Sequence, residues 1–139
     1  MTGLQAVTAV AKHILNASPS VFGDKEGRVF KYEKEKGYSG EYIAVNNLPF
    51  VHGKVSQTAT VNVNVHVPAL ASEVPNTKRL TAIAKEVIEL FDYTDGIKLD
   101  GAWFKFFSDS RPTPDNDGTF YVNIEIDCTY EDVTPVSLS

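Results

Sequence analysis

Three histidines, His13, His52 and His66, and a scatter of carboxylates are the side chains of this sequence able to hold a metal ion or move a proton. None of the histidines shows His-x-His or His-Glu-x-x-His spacing. His66 falls on the polar side of an alternating stretch with Asn62 and Asn64, and Glu125 and Asp127 fall on the polar side of another. If the two stretches were neighbouring strands, a His/Asp/Glu site would be geometrically possible, and carboxylates two apart suit acid–base work. The same residue types are equally ordinary on a sheet face that meets water or another subunit, and that is the expectation here. Asp115-Asn116-Asp117-Gly118 has the acidic spacing of part of a calcium loop. Aligned on Gly118, however, Thr113 takes the first ligand position and Ile124 the last, where a bidentate Glu is required. With Pro112 and Pro114 beside it, the segment is expected to be a hairpin turn. Gly53-Lys54 lacks both the upstream glycine and the Ser/Thr of a phosphate loop. Cys128, the single cysteine, permits no intrachain disulfide, and its place among apolar residues predicts a buried, inert thiol. No catalytic constellation stands out, so a non-enzyme without cofactor or metal is expected.

The elements that would position these residues can be traced along the chain. Its 139 residues suit one domain, and the 42% hydrophobic fraction is enough for a core without disulfides. The net charge of −5, with no Lys/Arg stripe, argues against a general nucleic-acid binder. No window approaches the roughly 18–20 apolar residues of a membrane span. No charged start followed by an apolar run marks a secretion signal, so a soluble protein made in the cytoplasm, with no membrane partner, is expected.

Leu4, Val7, Ala11, Ile14 and Leu15 predict a helix over Gly3 to Asn16, capped by Thr2 and stopped by Ser18-Pro19. The stretch from Gly23 to Gly40, rich in Lys, Glu and Tyr, is expected to be a long charged loop or hairpin outside the main core. Glu41 to Asn46 predicts a short strand. From Ala59 to Val67 valines alternate with Thr60, Asn62, Asn64 and His66, the period of a strand with one apolar and one polar face. Leu80, Ile83, Ala84, Val87, Ile88 and Phe91 predict a second helix that starts at Asn76 or Thr77 and is closed by Asp95-Gly96. Ala102 to Phe107 and Thr119 to Tyr130 predict a final hairpin of strands. The expected fold is α+β, a two-layer sandwich of a mainly antiparallel sheet with two helices on one face. Residues 1–130 would form the domain and 131–139 a tail, mobile in the monomer.

The order of the N-terminal helix, Glu41-Tyr-Ile-Ala-Val-Asn-Asn-Leu-Pro49, the strand Ala59-Thr-Val-Asn-Val-Asn-Val-His-Val67 and a second helix is similar to that of a known family. The closing Asp117-Gly118 before Phe120-Tyr-Val-Asn-Ile-Glu-Ile126 completes the pattern. In this the chain resembles the tail terminator or tail-completion proteins of long-tailed phages and prophages, over Gly3 to Tyr130. The resemblance implies a homo-oligomeric ring, usually a hexamer, located in the virion after assembly in the host cytoplasm. Such a ring caps the head-proximal end of the tail tube, contacts tube and head–tail connector proteins, and lets DNA pass as cargo. It also implies that Asn62, Asn64, His66, Asn123, Glu125 and Asp127 line a lumen or a subunit contact. Loops carried on a rigid sheet make docking devices, so Lys31, Tyr32, Lys34 and Tyr38 in the long loop, and Arg111 and Asp115 at the hairpin tip, are candidate assembly contacts. Another head–tail joining protein, a small metal-dependent enzyme using the polar strand face, and a host adaptor are the alternatives.

Overall fold

Val61, Val63, Val65 and Val67 point to one side of a single long strand, and all four are buried. Each such burial contributes about 1.5–3 kcal/mol before entropy, which fixes the register, because a one-residue slip would turn the whole set to water. The neighbouring strand answers with Phe120, Val122, Ile124, Ile126 and Cys128 on the same side. Around this pair the chain builds α1 (Gly3–Asn16), β1 (Val29–Lys31), β2 (Tyr42–Asn47), β3 (Val51–His52), β4 (Ser56–Pro68), α2 (Thr77–Glu89), β5 (Ile97–Leu99), β6 (Ala102–Asp109), β7 (Thr113–Pro114) and β8 (Thr119–Glu131). The structure, a computed structural model, describes residues 1–17, 21–23, 25, 27–49, 51–52 and 56–131, with backbone only at 51, 52 and 56.

The strands form one curled, mixed sheet in the order β1-β2-β4-β8-β6-β5, with β3 alongside β4 and β7 alongside β8. Every pair is antiparallel except β1 with β2. The helices cover the apolar side. From α1, Val7, Val10 and Ile14 enter the core; from α2, Leu80, Ile83 and Val87 join them. Thr2 caps α1 in a reciprocal box with Gln5, satisfying two backbone donors that would otherwise lack partners. Asn76 accepts from the Arg79 amide and caps α2. The α+β class and the placing of the helices agree with the sequence pattern, but the sheet is larger and less uniform than that pattern predicts.

Three expectations are corrected. The 23–40 segment is not wholly outside the core, because Val29–Lys31 pairs in parallel with Ile43–Val45 as an edge strand. No alternation marks so short a strand, and a parallel partner leaves no hairpin turn in the sequence. Tyr32, at a φ of 69°, turns the chain out of β1. The second helix stops at Glu89 rather than at Asp95-Gly96; Leu90 and Phe91 bond back to Val87 and Ile88, and Phe91 is still fully buried. The third concerns β6, expected to end at Phe107, which runs on to Asp109 past a bulge between Phe106 and Ser108. The tail expected from 131 lies, apart from Glu131 in β8, outside the described residues.

Candidate functional site

The side of the sheet away from the helices is built in rungs across β2, β4 and β8. Tyr42, His66 and Tyr121 occupy one rung, Ala44, Asn64 and Asn123 the next, and Asn46, Asn62 and Glu125 the third. In the third rung Asn62 donates to Asn46 at 3.0 Å; Asn123 donates to Asn64 at 2.8 Å and to Asn62 at 3.2 Å. The amides thereby hold one another in a fixed ladder along the floor of an open groove of about 550 Å³. Thr60 and Asp127 follow on the next rung, where Asp127 faces Lys105 of β6. Burial and then the neighbouring Glu125 raise the Asp127 carboxyl above its ordinary value, with Lys105 opposing them.

This register separates residues that the sequence groups together. β4 and β8 are neighbours, yet His66 faces Tyr121, while Glu125 faces Asn62 and Asp127 faces Thr60. Tyr121 and Glu125 are four residues apart on one strand, about 13 Å, so the His66/Glu125/Asp127 site is not formed. His66 instead meets carboxylates from the β7–β8 turn, which folds back over the first rung. Its Nδ1 lies 3.0 Å from Thr119 Oγ1 and 3.7 Å from Asp115 Oδ2. The ring is stacked on Tyr42, with centroids 4.2 Å apart and planes 9° from parallel, and on Tyr121 at 5.1 Å and 29°.

Asp117 is the hub of this cluster. Its Oδ1 accepts from the Thr119 amide at 3.0 Å and the Thr119 hydroxyl at 2.5 Å; its Oδ2 accepts from Tyr42 Oη at 2.6 Å and Lys34 Nζ at 3.1 Å. Burial alone would raise this carboxyl, but the hydrogen bonds from Thr119, Tyr42 and Lys34 outweigh it and hold it well below the usual range. The Tyr42 phenol moves the other way, raised by burial and by the Asp117 charge it donates to. Since Thr119 gives its proton to Asp117, the short contact to His66 assigns the imidazole proton to Nδ1. Burial lowers the His66 pKa, with Asp117 and Asp115 opposing and Lys34 assisting, so the ring is neutral in ordinary buffer.

The loop residues meet different fates. Lys34 also donates to Tyr38 O, Tyr38 donates to Glu41 O, and the Tyr38 ring packs edge-on against Phe30 and Tyr42. Both are thus engaged inside the chain, and the loop lies over the outer face of the sheet. Lys31 and Tyr32 are exposed, with Tyr32 donating to Asn47 Oδ1. Arg111 and Asp115 are exposed at the turn. Cys128 is buried under α1 near Met1, and burial pushes its thiol up to about 12, which leaves it unreactive at neutral pH. The partnership of His66 with Asp115 and Asp117 has one sequence signal, a proline-flanked acidic turn directly before the strand that pairs with β4. The exposed aromatics Trp103 and Phe107, which share the outer face of β6 with Lys105, have only their alternation.

No protein family model matches the chain, and no curated protein does. Among solved structures, a chain from the virion of a native gene transfer agent particle superposes with a TM-score of 0.63 at 15% identity. That match covers 93% of this chain and 95% of the other. A second solved protein, whose designation carries no function, matches with a TM-score of 0.55 at 13% identity, covering 91% and 92% of the two chains. At such identities the likeness shows a shared fold.

Proposed function

We propose that this chain is a structural virion protein of a phage-like particle that assembles into a homo-oligomeric ring, a hexamer in its simplest form, at the head-proximal end of the tail tube. There it ends tube polymerisation and joins the tail to the head connector. The observation that carries this reading is the near end-to-end likeness of fold to a chain of the gene transfer agent virion. The order of elements resembles that of tail terminators, and this resemblance supports the role within the particle.

Two features of the surface support it. The outer rungs of β2, β4 and β8 carry asparagine, threonine, tyrosine and carboxylate but neither Lys nor Arg. A lumen faced with these rungs gives passing DNA few cations to hold its phosphates, since Lys105 of β6 sits opposite Asp127 and Lys34 is bonded to Asp117. On the same side Trp103 is 45% and Phe107 64% exposed. Large aromatic side chains left in water on a rigid strand suit a protein partner, and a closed ring needs such a surface on each copy. This role calls for no catalytic step, and the buried His66 is hydrogen-bonded within the fold. Electron microscopy of purified protein mixed with tail tubes tests the role. Rings seated at one end of the tubes are expected; decoration along the tube, or none, refutes it.

A further inference from the structure

The His66, Asp115 and Asp117 cluster holds more negative charge than its own cations neutralise. The two carboxylates share a single ammonium, that of Lys34, which bonds only Asp117 of the two, and they face an imidazole whose Nδ1 contacts Thr119 Oγ1. Asp115 Oδ1 accepts from the Asn116 amide, while its Oδ2 is turned toward His66. We propose that this cluster is a binding site for a divalent cation of the Zn²⁺ class, in which the Lys34 ammonium is a displaceable placeholder.

Three ligand atoms, one from each of His66, Asp115 and Asp117, lie within 4.8 Å of one another. Tetrahedral zinc with bonds of about 2.0–2.2 Å sets its ligands about 3.4 Å apart, so side-chain rotations within the turn bring the set to coordination distance. The imidazole is already placed: its side chain is 7% exposed and clamped between two tyrosine rings. Such clamping lowers the ordering cost of binding. A nitrogen donor beside two carboxylates favours a borderline ion over calcium, which takes oxygen ligands only.

Binding has two requirements. The imidazole must shift its proton from Nδ1 to Nε2 so that Nδ1 can ligate the ion. Lys34 must also release Asp117 Oδ2. Lys34 is paired with Asp117 and so ties the loop over residues 32–41 to the β7–β8 turn. An ion taking its place removes that tie and leaves the loop held by Tyr38 against Phe30 and Tyr42 and by Tyr32 on Asn47. Cation binding would thereby alter a surface that carries Tyr32 and Lys36. This inference is independent of the proposed place in a virion.

Isothermal titration of the full chain with ZnCl₂ at neutral pH tests it. One ion per chain is expected, with Lys34→Gln tightening the affinity about tenfold, and Asp115→Asn and His66→Gln each weakening it about tenfold or more. Asp115 sits on an exposed turn, so its variant keeps the fold even where loss of the buried imidazole does not; near-ultraviolet circular dichroism checks both. Two results would overturn the site. One is binding unchanged in Asp115→Asn; the other is no binding by either the native chain or Lys34→Gln.

Discussion

Tyr42 and His66 face each other across β2 and β4 with ring centroids 4.2 Å apart and planes 9° from parallel. With Tyr121 on the far side, the imidazole is sealed between two phenol rings. Burial lowers its pKa; Asp117 and Asp115 pull the other way and Lys34 adds to the lowering. The unfolded chain takes up this proton near pH 6.5, earlier on acidification than the folded one does. The stabilisation from the neutral ring is therefore complete above about pH 6.5 and is lost as pH falls through the lowered folded value. Thermal melts between about pH 8 and 5 should show a falling Tm in the native chain and a flatter profile in His66→Phe.

Asp117 gives a second pH signature, in a more acidic window. Its folded pKa is depressed, so its stabilisation is present above the unfolded value of about 4 and is lost as pH falls below that value. Asp117→Ala removes four hydrogen bonds at once and leaves the Tyr42 hydroxyl and the Lys34 ammonium without this acceptor. A loss of about 2–3 kcal/mol is expected from urea melts at neutral pH, and the variant should lose less further stability than the native chain on acidification.

Gly96 begins the turn into β5 at a φ of 79°, and a Cβ placed there would lie 2.8 Å from the Phe104 carbonyl oxygen. Backbone cannot yield as a flexible side chain can. Gly96→Ala should cost about 1–3 kcal/mol. Gly3→Ala, whose added methyl first meets the Asn47 side chain rather than backbone, should cost less in the same melts.

Trp103 and Phe107 bear on assembly, not on folding. Both are exposed on the outer face of β6, so Trp103→Ser with Phe107→Ser should leave stability within about 0.5 kcal/mol of the native chain per site. If this face meets another subunit, the double variant should show weaker self-association by sedimentation velocity. Unchanged association would remove these residues from the contact.

The parts of the fold that sequence discloses are those with local, repeated signals. Alternation over Val61–Val67 and over Phe120–Cys128 marks both central strands, and Thr2 and Asn76 mark both helix starts. What it hides depends on contacts between distant segments. β1 has three residues and a parallel partner, so neither alternation nor a turn announces it. The bulge at Phe107 shifts the strand by one residue with no glycine to flag it. At the candidate site, alternation places His66 on the polar face but cannot tell which carboxylates lie opposite. That depends on the register of β4 with β8 and on the turn carrying Asp115 and Asp117, which folds back over the first rung.

Ring formation can be read from the mass of the purified chain in light scattering across concentration and salt. A discrete ring-sized species, or a monomer that becomes one when tail tubes are added, is expected. A strict monomer at every concentration that also ignores added tubes would contradict it.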